Sequence, residues 1–250
     1  MLTDERREKI LTLVSQRGTV SVSELVTYLE ASESTIRRDL SALDQRGKLK
    51  KVHGGAKSLT TGFFLEEEDV STKNRMHVEE KKAIAMYAAT LVESSDFVYI
   101  DAGTTTELLI DYLTCKDAIY MTNGITHAKK LSKEGFQIYM LPGLLKGSTE
   151  AVIGARCMEH LQSYRFTKAF MGSNGIHPDY GFTTADVEEG MVKKEAILRA
   201  SESYILADHS KFDKYTAFQF APLGRCSIIT DAVSNKEYTK KTKVKEVGSV

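Results

Sequence analysis

Residues 34–43 read Ser34-Thr35-Ile36-Arg37-Arg38-Asp39-Leu40-Ser41-Ala42-Leu43. At 3.6 residues per turn, Ile36, Leu40 and Leu43 share one face of a helix, Ser34, Arg38, Ser41 and Gln45 lie opposite, and Arg37 stands on the shoulder. The first face is fit to pack on other helices. The second offers short hydroxyls, an amide and guanidinium groups, which are the donors and acceptors that read base edges in a DNA major groove. A surface helix with two arginines is common, so the reading turns on what flanks it.

Upstream, Thr3 or Asp4 can cap a helix in which Ile10, Leu11, Leu13 and Val14 recur at helical spacing, and Gly18 ends it. Ser21-Val22-Ser23-Glu24 has capping-box spacing and opens a short second helix, Glu24 to Glu30. Ala31-Ser32 is the turn, and Ser32 caps a third helix from Glu33 to about Arg46, stopped by Gly47. Downstream, Lys48-Leu49-Lys50-Lys51-Val52-His53-Gly54-Gly55-Ala56 alternates and turns at Gly54-Gly55, a hairpin wing. The expectation is a winged helix-turn-helix over residues 1–57. Ser34, Thr35, Arg37, Arg38 and Ser41 are its candidate base and backbone contacts, with Arg38 bidentate to guanine. Lys50, Lys51 and His53 on the wing suit phosphates, which position the protein without specifying sequence.

Charge distribution agrees. The 250 residues carry 34 basic and 34 acidic side chains, so net charge is silent about nucleic acid. Residues 1–57, however, hold 11 Lys+Arg against 8 Asp+Glu, and residues 35–57 hold seven against two. A local basic patch on a neutral chain fits a DNA-reading module joined to a domain with other work. Hydrophobic residues at 42% exclude a disordered protein. No apolar run approaches the ~20 residues that span a bilayer, and the polar start Met1-Leu2-Thr3-Asp4-Glu5-Arg6 lacks a signal-peptide core. A cytoplasmic chain without membrane partners is expected. Cys115, Cys157 and Cys226 are few, odd in number and far apart, as reduced structural thiols would be. The six histidines show no paired ligand spacing, and no Gly-x-Ser-x-Gly nucleophile elbow is present, so neither a metal site nor a cofactor is expected.

Residues 58–75 read as a linker, including the acidic run Glu66-Glu67-Glu68-Asp69. From residue 76 the pattern changes. A helix bearing Ile84, Tyr87, Ala88 and Leu91 on one side precedes six apolar runs: 97–100, 118–121, 137–141, 168–171, 204–207 and 227–230. Helices near 106–113, 125–134, 150–162 and 186–202 lie between them. This alternation over residues 76–250 argues a mostly parallel α/β sheet covered on both faces.

Most polar or Gly-rich motifs of this part begin where an expected strand ends. They are Asp101-Ala102-Gly103-Thr104-Thr105-Thr106, Thr122-Asn123-Gly124, Pro142-Gly143, Gly172-Ser173-Asn174-Gly175 and Asp208-His209-Ser210-Lys211. Ligands of open α/β sheets bind at the carboxyl ends of strands, so these five loops should meet on one rim. Gly103 allows close backbone approach, Thr104, Thr105 and Thr106 add hydroxyls, and Lys211 adds a positive charge, a set suited to a phosphate monoester. Asp101, Asn123, Asn174 and Asp208 suit sugar hydroxyls. Taken singly, a Thr-rich turn does no more than cap a helix. Thr184 and Glu188, beside Gly181-Phe182-Thr183, either cap the following helix or touch the ligand. Lys193 and Lys194 are expected to be exposed, with Lys193 near the same helix end and able to face the rim.

Ser34-Thr35-Ile36-Arg37-Arg38-Asp39-Leu40 followed by Val52-His53-Gly54-Gly55-Ala56 resembles the signature of the DeoR family of bacterial sugar-operon repressors, and the resemblance runs through nearly the whole chain. It implies a C-terminal domain similar to ribose-5-phosphate isomerase and to CoA-transferase-like sheets. Family members bind phosphorylated sugars in that domain, and Asp101-Ala102-Gly103-Thr104-Thr105, Thr122-Asn123 and Asp208-His209-Ser210-Lys211 match the family pattern. Pro142-Gly143 departs from the family's Gly-Gly. Tyr164-Arg165-Phe166, Gly172 to His177 and Gly181 to Thr184 look most like the fructose-operon repressors, implying fructose 1-phosphate as effector. The resemblance thus implies operator DNA and a sugar phosphate as partners, and helix-turn-helix modules usually act as homo-oligomers. The alternative is a sugar-phosphate isomerase-like enzyme carrying a DNA-binding module. Proton transfer between sugar carbons needs a base, and the loop 172–176 offers Asn174 where the isomerase places acidic residues; Glu188 keeps the alternative open.

Overall fold

The structure, a computed structural model, describes residues 3–58, 62–64 and 69–248. The chain forms two compact units, Met1–Phe63 and Phe64–Val250. Of the acidic run, Glu66, Glu67 and Glu68 lie outside the described residues.

The first unit runs α1 (Thr3–Arg17), β1 (Thr19–Ser21), α2 (Val22–Leu29), α3 (Glu33–Gln45), β2 (Lys50–Val52) and β3 (Gly55–Lys57). Ser21 and Glu24 form a complete capping box at the head of α2, and the Ser32 hydroxyl accepts from the Thr35 N–H at the head of α3. Helix α1 already contains Thr3 and Asp4, so neither stands at the capping position expected of it. Ile36, Leu40 and Leu43 are buried against Ile10, Leu13, Val14, Leu25 and Leu29, one small three-helix core. Each such side chain contributes roughly 1.5–3 kcal/mol by leaving water. Two features of the wing differ from expectation. Its turn falls at His53-Gly54, and a further strand, β1, pairs with β3 to give a three-stranded sheet of order β1-β3-β2. Gly55 lies within β3 opposite Ser21, where a Cβ would meet the Val20 carbonyl oxygen at 2.3 Å. It serves close strand approach, not the turn.

The second unit opens with α4 (Val70–Arg75), capped by Asp69, and α5 (Val78–Ala89). The stretch read as linker therefore ends in a helix of this unit. Strands and helices then alternate: β4 (Phe97–Ile100), α6 (Thr104–Ile110), β5 (Ile119–Thr122), α7 (Ile125–Lys133) and β6 (Gln137–Met140). A hairpin of β7 (Leu144–Lys146) and β8 (Ala151–Ile153) precedes α8 (Ala155–Leu161), where a single helix over 150–162 was expected. Next come β9 (Phe166–Gly172), β10 (Gly175–His177), β11 (Gly181–Thr184), α9 (Val187–Arg199) and β12 (Ala200–Leu206). After a short 3-10 turn at His209–Lys211 follow β13 (Phe218–Ala221), β14 (Ser227–Thr230), α10 (Glu237–Lys241) and β15 (Val244–Glu246).

The main sheet has seven strands in the order β15-β14-β12-β9-β4-β5-β6, every pair parallel. Alternation divides its strands between two cores. Tyr99, Met121, Met171 and Ile205 face one layer, and Val98, Ile100, Tyr120, Phe170 and Leu206 face the other. A small antiparallel sheet, β10-β11-β13, adds to the first layer. From β4 the chain proceeds outward through β5 and β6, then returns to β9 on β4's other side and continues through β12 and β14. The order reverses between β4 and β9, and the loops leaving those two strands diverge there, opening the crevice in which α/β sheets bind ligands.

Candidate functional site

The exposed face of α3 carries Ser34, Arg37 and Arg38, with Ser41 half-buried beside them. Arg38 makes no ion pair among the described residues, whereas Arg37 is bound to Glu33 one turn back. Ser34 and Thr35 hydroxyls both contact the Ser32 hydroxyl, at 3.1 and 2.8 Å, so they extend the cap while facing outward. Ser41 donates to the Arg37 carbonyl and accepts from Lys51 Nζ at 2.7 Å. The wing lysine thereby reaches back to the helix, and the Asp44 carboxylate accepts from the Lys51 N–H. Lys50 and His53 are exposed. Asp39, silent in the sequence, is buried and accepts from Arg6 Nε at 2.6 Å and Arg7 Nε at 2.9 Å, which locks α3 onto α1. Candidate contacts on helix and wing thus share one surface, while the acidic residue within the motif turns inward.

In the second unit a cleft opens at the strand ends around the reversal between β4 and β9. Its lining includes Gly103, Thr104 and Thr105 after β4, Ser173 and Asn174 after β9, and Asp208 and Lys211 after β12. Lys73 on α4, Lys81 on α5, Thr149 after β7, and Glu189 and Lys193 on α9 complete it. Four lysines and two carboxylates are among the lining residues. The sequence reading missed Lys73, Lys81, Thr149 and Glu189, and it placed Ser173 in a rim loop and Lys193 near the rim without assigning either to the ligand. Two of them left a trace. Lys81 keeps helical register with Ile84, Ala85 and Ala88, the buried stripe of α5. Asp186 and Glu189 have the spacing of a helix start, and Asp186, not Thr184, is the N-cap that accepts from the Glu189 N–H.

Lys193, expected on the surface, is buried and paired with Asp101, whose Oδ2 also accepts from the Gly172 N–H at 3.1 Å. Burial pushes the Asp101 carboxyl up, and the Lys193 charge and both hydrogen bonds offset only part of that. Asp101 thus ties β4, β9 and α9 together beneath the cleft, and Lys193, not Asp101, lines it. For Asp208, burial acts to raise the pKa, but Lys211, the Ser210 hydrogen bonds and His77 outweigh it and hold the carboxyl below its ordinary value. Glu189 accepts from Lys146 Nζ at 3.0 Å and from the Thr149 hydroxyl at 2.7 Å.

Several expected contacts lie outside the lining because their polar atoms serve the scaffold. Thr106 is fully buried and donates to the Asp101 and Gly103 carbonyls. Thr122 accepts from the Gly124 N–H. Asn123 is buried; its Oδ1 accepts from the Tyr99 hydroxyl and the Ala102 N–H, and its Nδ2 donates to the Val152 carbonyl. It shapes the Gly103 loop from below. Gly143 (φ +158°) would bring a Cβ within 2.4 Å of the Ile153 carbonyl oxygen, so it seats the β7–β8 hairpin. Thr184 is buried and donates to Asn174 Oδ1 at 2.8 Å, orienting a residue that does line the cleft. Glu188 is exposed on α9, one residue from the carboxylate that faces the cleft. Beneath the same loop, buried His127 sets Nε2 at 3.2 Å from the Gly103 carbonyl and 3.3 Å from Thr106 Oγ1. Burial lowers its pKa to about 4, so it is neutral there. The three cysteines are free thiols. Burial raises Cys157 to about 11 and Cys226 to about 12, which keeps both protonated and inert.

Among the described residues no helix is long and apolar enough to cross a membrane. Residues 6–62 match the DeoR-like helix-turn-helix domain, and residues 76–232 match the DeoR C terminal sensor domain. Across 99% of both chains the sequence is 41% identical to the Uncharacterized HTH-type transcriptional regulator FruR of Bacillus subtilis (strain 168). It is 34% identical to the lactose phosphotransferase system repressor of Streptococcus mutans, again across 99% of both chains. The HTH-type transcriptional repressor GlcR of Bacillus subtilis is 34% identical over 95% of this chain and 92% of that one. Among solved structures, ribose 5-phosphate isomerase A from Methanocaldococcus jannaschii overlaps 53% of each chain at 16% identity and a TM-score of 0.38, too little to speak to activity. The two domain matches span both units in order, and the chain belongs to the DeoR family of helix-turn-helix transcriptional regulators.

Proposed function

We propose that this protein represses a sugar-utilisation operon and leaves its operator when a phosphorylated sugar, fructose 1-phosphate, fills the cleft of the second unit. The observation that carries the reading is the cleft's composition: lysines from four elements, Lys211 after β12 among them, with Thr104, Thr105, Ser173 and Asn174 beside them. Lysine ammonium groups donate charge-assisted hydrogen bonds to phosphate oxygens, and the hydroxyl and amide groups match a polyol. The FruR and lactose-system relatives support a sugar-linked role, and the fructose assignment leans on the first of them.

Regulation without catalysis fits the carboxylates. Asp101 is paired with Lys193, Glu189 with Lys146, and Asp208 is held ionised beside Lys211. Ion-paired carboxylates are poor bases for moving a proton between sugar carbons. A homo-oligomer on paired half-sites supplies the affinity that one small reading unit lacks. The effector must bind the weakly DNA-binding conformation better, and operator DNA then weakens effector binding by the same factor. A tenfold effect corresponds to about 1.4 kcal/mol.

Mobility shift on the promoter of the chain's own operon tests this. Fructose 1-phosphate should release the DNA, and fructose 6-phosphate should do so more weakly. Lys211→Ala should bind DNA as wild type yet resist release by at least tenfold in effector concentration. Release of that variant at the wild-type concentration would remove Lys211 from the effector's contacts, and turnover of the sugar phosphate would make the protein an enzyme.

A further inference from the structure

Beside the cleft, three side chains from distant parts of the sequence converge. His77 precedes α5, Glu80 lies in its first turn, and His209 opens the 3-10 turn after β12. One ligating atom from each lies within 4.8 Å of the other two. Two ligands of a tetrahedral zinc ion stand about 3.4 Å apart, so small side-chain rotations would bring this set into coordinating range.

Two further observations separate the cluster from an ordinary polar contact. His209 Nδ1 lies 2.6 Å from Asp231 Oδ2, and the His209 N–H donates to Asp231 Oδ1 at 2.7 Å. A ring that gives its Nδ1 proton to a carboxylate presents the Nε2 lone pair, and this carboxylate–histidine arrangement is the one that orients imidazoles toward metals. Asp231 is itself nearly buried, with a side-chain exposure of 8%, so the orientation is fixed from below. His77 stands at the N-cap of α5 with φ +52°, yet its side chain makes no capping hydrogen bond. Its ring instead meets His209 edge-on, with centroids 4.9 Å apart.

We propose that His77, Glu80 and His209 form a binding site for a divalent transition-metal ion, with Asp231 as the outer carboxylate that orients His209. Two imidazoles and one carboxylate suit zinc, cobalt or nickel in preference to magnesium or calcium. Three protein ligands leave a coordination position open. His77 also lies close enough to Asp208 for its charge to act on that carboxyl, so a bound cation would add positive field at the wall of the cleft. The histidines at 77 and 209 are 132 residues apart, which is why spacing along the chain gave no hint of them.

The experiment is a titration of EDTA-stripped, desalted full-length protein with Zn2+ in competition with a chromophoric chelator. It reads metal binding alone, so its outcome is independent of which ligand the cleft takes. One equivalent should bind. His77→Asn, which tolerates the left-handed backbone, and His209→Asn should each weaken it at least tenfold, and Asp231→Asn should weaken it about 10- to 100-fold. Wild-type protein loaded with Co2+ should show visible absorption that these variants lose. If a histidine variant fails to fold, Glu80→Gln, on a half-exposed helix position, carries the test with the same tenfold loss. Failure of the wild type to take up zinc, or uptake that differs less than twofold between wild type and Glu80→Gln and the folded histidine variants, would overturn the proposal.

Discussion

His127 shows how one side chain holds the cleft's first loop and what that costs in acid. The buried neutral ring supports Gly103 and Thr106, and its pKa falls from 6.5 to about 4 because burial penalises the imidazolium. Well above pH 6.5 neither folded nor unfolded chain is protonated at this position, and no penalty arises. Between pH 6.5 and 4 the unfolded chain takes up a proton that the folded chain refuses, so stability falls as pH is lowered through that window, by about 3 kcal/mol in all. Urea melts at pH 7 and pH 5 should show a larger loss in wild type than in His127→Gln; parallel losses would remove His127 as the cause. Asp101 makes the complementary case. Asp101→Asn strips a buried lysine of its countercharge, and a loss of about 3–5 kcal/mol is expected from thermal or denaturant melts. A change under 1 kcal/mol would mean that water reaches Lys193 freely.

The wing is three short strands whose geometry depends on a glycine between them. At Gly55 a Cβ would press on the Val20 carbonyl oxygen at 2.3 Å, and that contact is backbone, which cannot rotate away. Gly55→Ala should therefore separate β3 from β1, displace Lys50 and Lys51, and weaken operator binding at least tenfold. Sugar-phosphate binding should remain unchanged, since the cleft is built wholly from residues of the other unit. Calorimetry with the effector and mobility shift with DNA, run on the same variant, check both halves. Helix α3 is legible from its sequence because its stripe, cap and terminator all act locally: Ser32, Ile36, Leu40, Leu43 and Gly47. Strand β1 is not. Its three residues have no periodicity to read, and they become a strand only because β3 is brought alongside.

At the scale of the whole molecule, DNA affinity and DNA specificity should separate by residue. Arg38→Ala should relax discrimination between operator and mutated operator by about 1–3 kcal/mol, roughly 5- to 150-fold, while the salt dependence of binding changes little. Lys51→Ala should weaken binding to all sequences and reduce the slope of log K against log salt by about one. Titrations at 50 and 200 mM salt on both DNAs distinguish the two roles, and interchange of the two patterns would reverse the assignment of helix and wing. At this level the parallel strands and their polar ends were readable, since continuous apolar runs such as 97–100 followed by Asp101-Ala102-Gly103 mark a buried strand and its carboxyl end. Which polar residues point into the cleft was not readable, because Asn123 differs from Asn174 only in what surrounds it.

Local chemistry along the chain fixed the three helices and hairpin of the first unit, the alternation of strand and helix, and the polar loops at the strand ends, because periodicity, caps and turn residues act within a few positions of one another. Tertiary structure alone decided that Asp39 turns inward to two arginines, that Lys193 is buried on Asp101, that Glu189 faces the cleft while Glu188 faces water, and that His77 meets His209. Those are choices of burial and partner between residues tens to more than a hundred positions apart, and no spacing along the sequence encodes them.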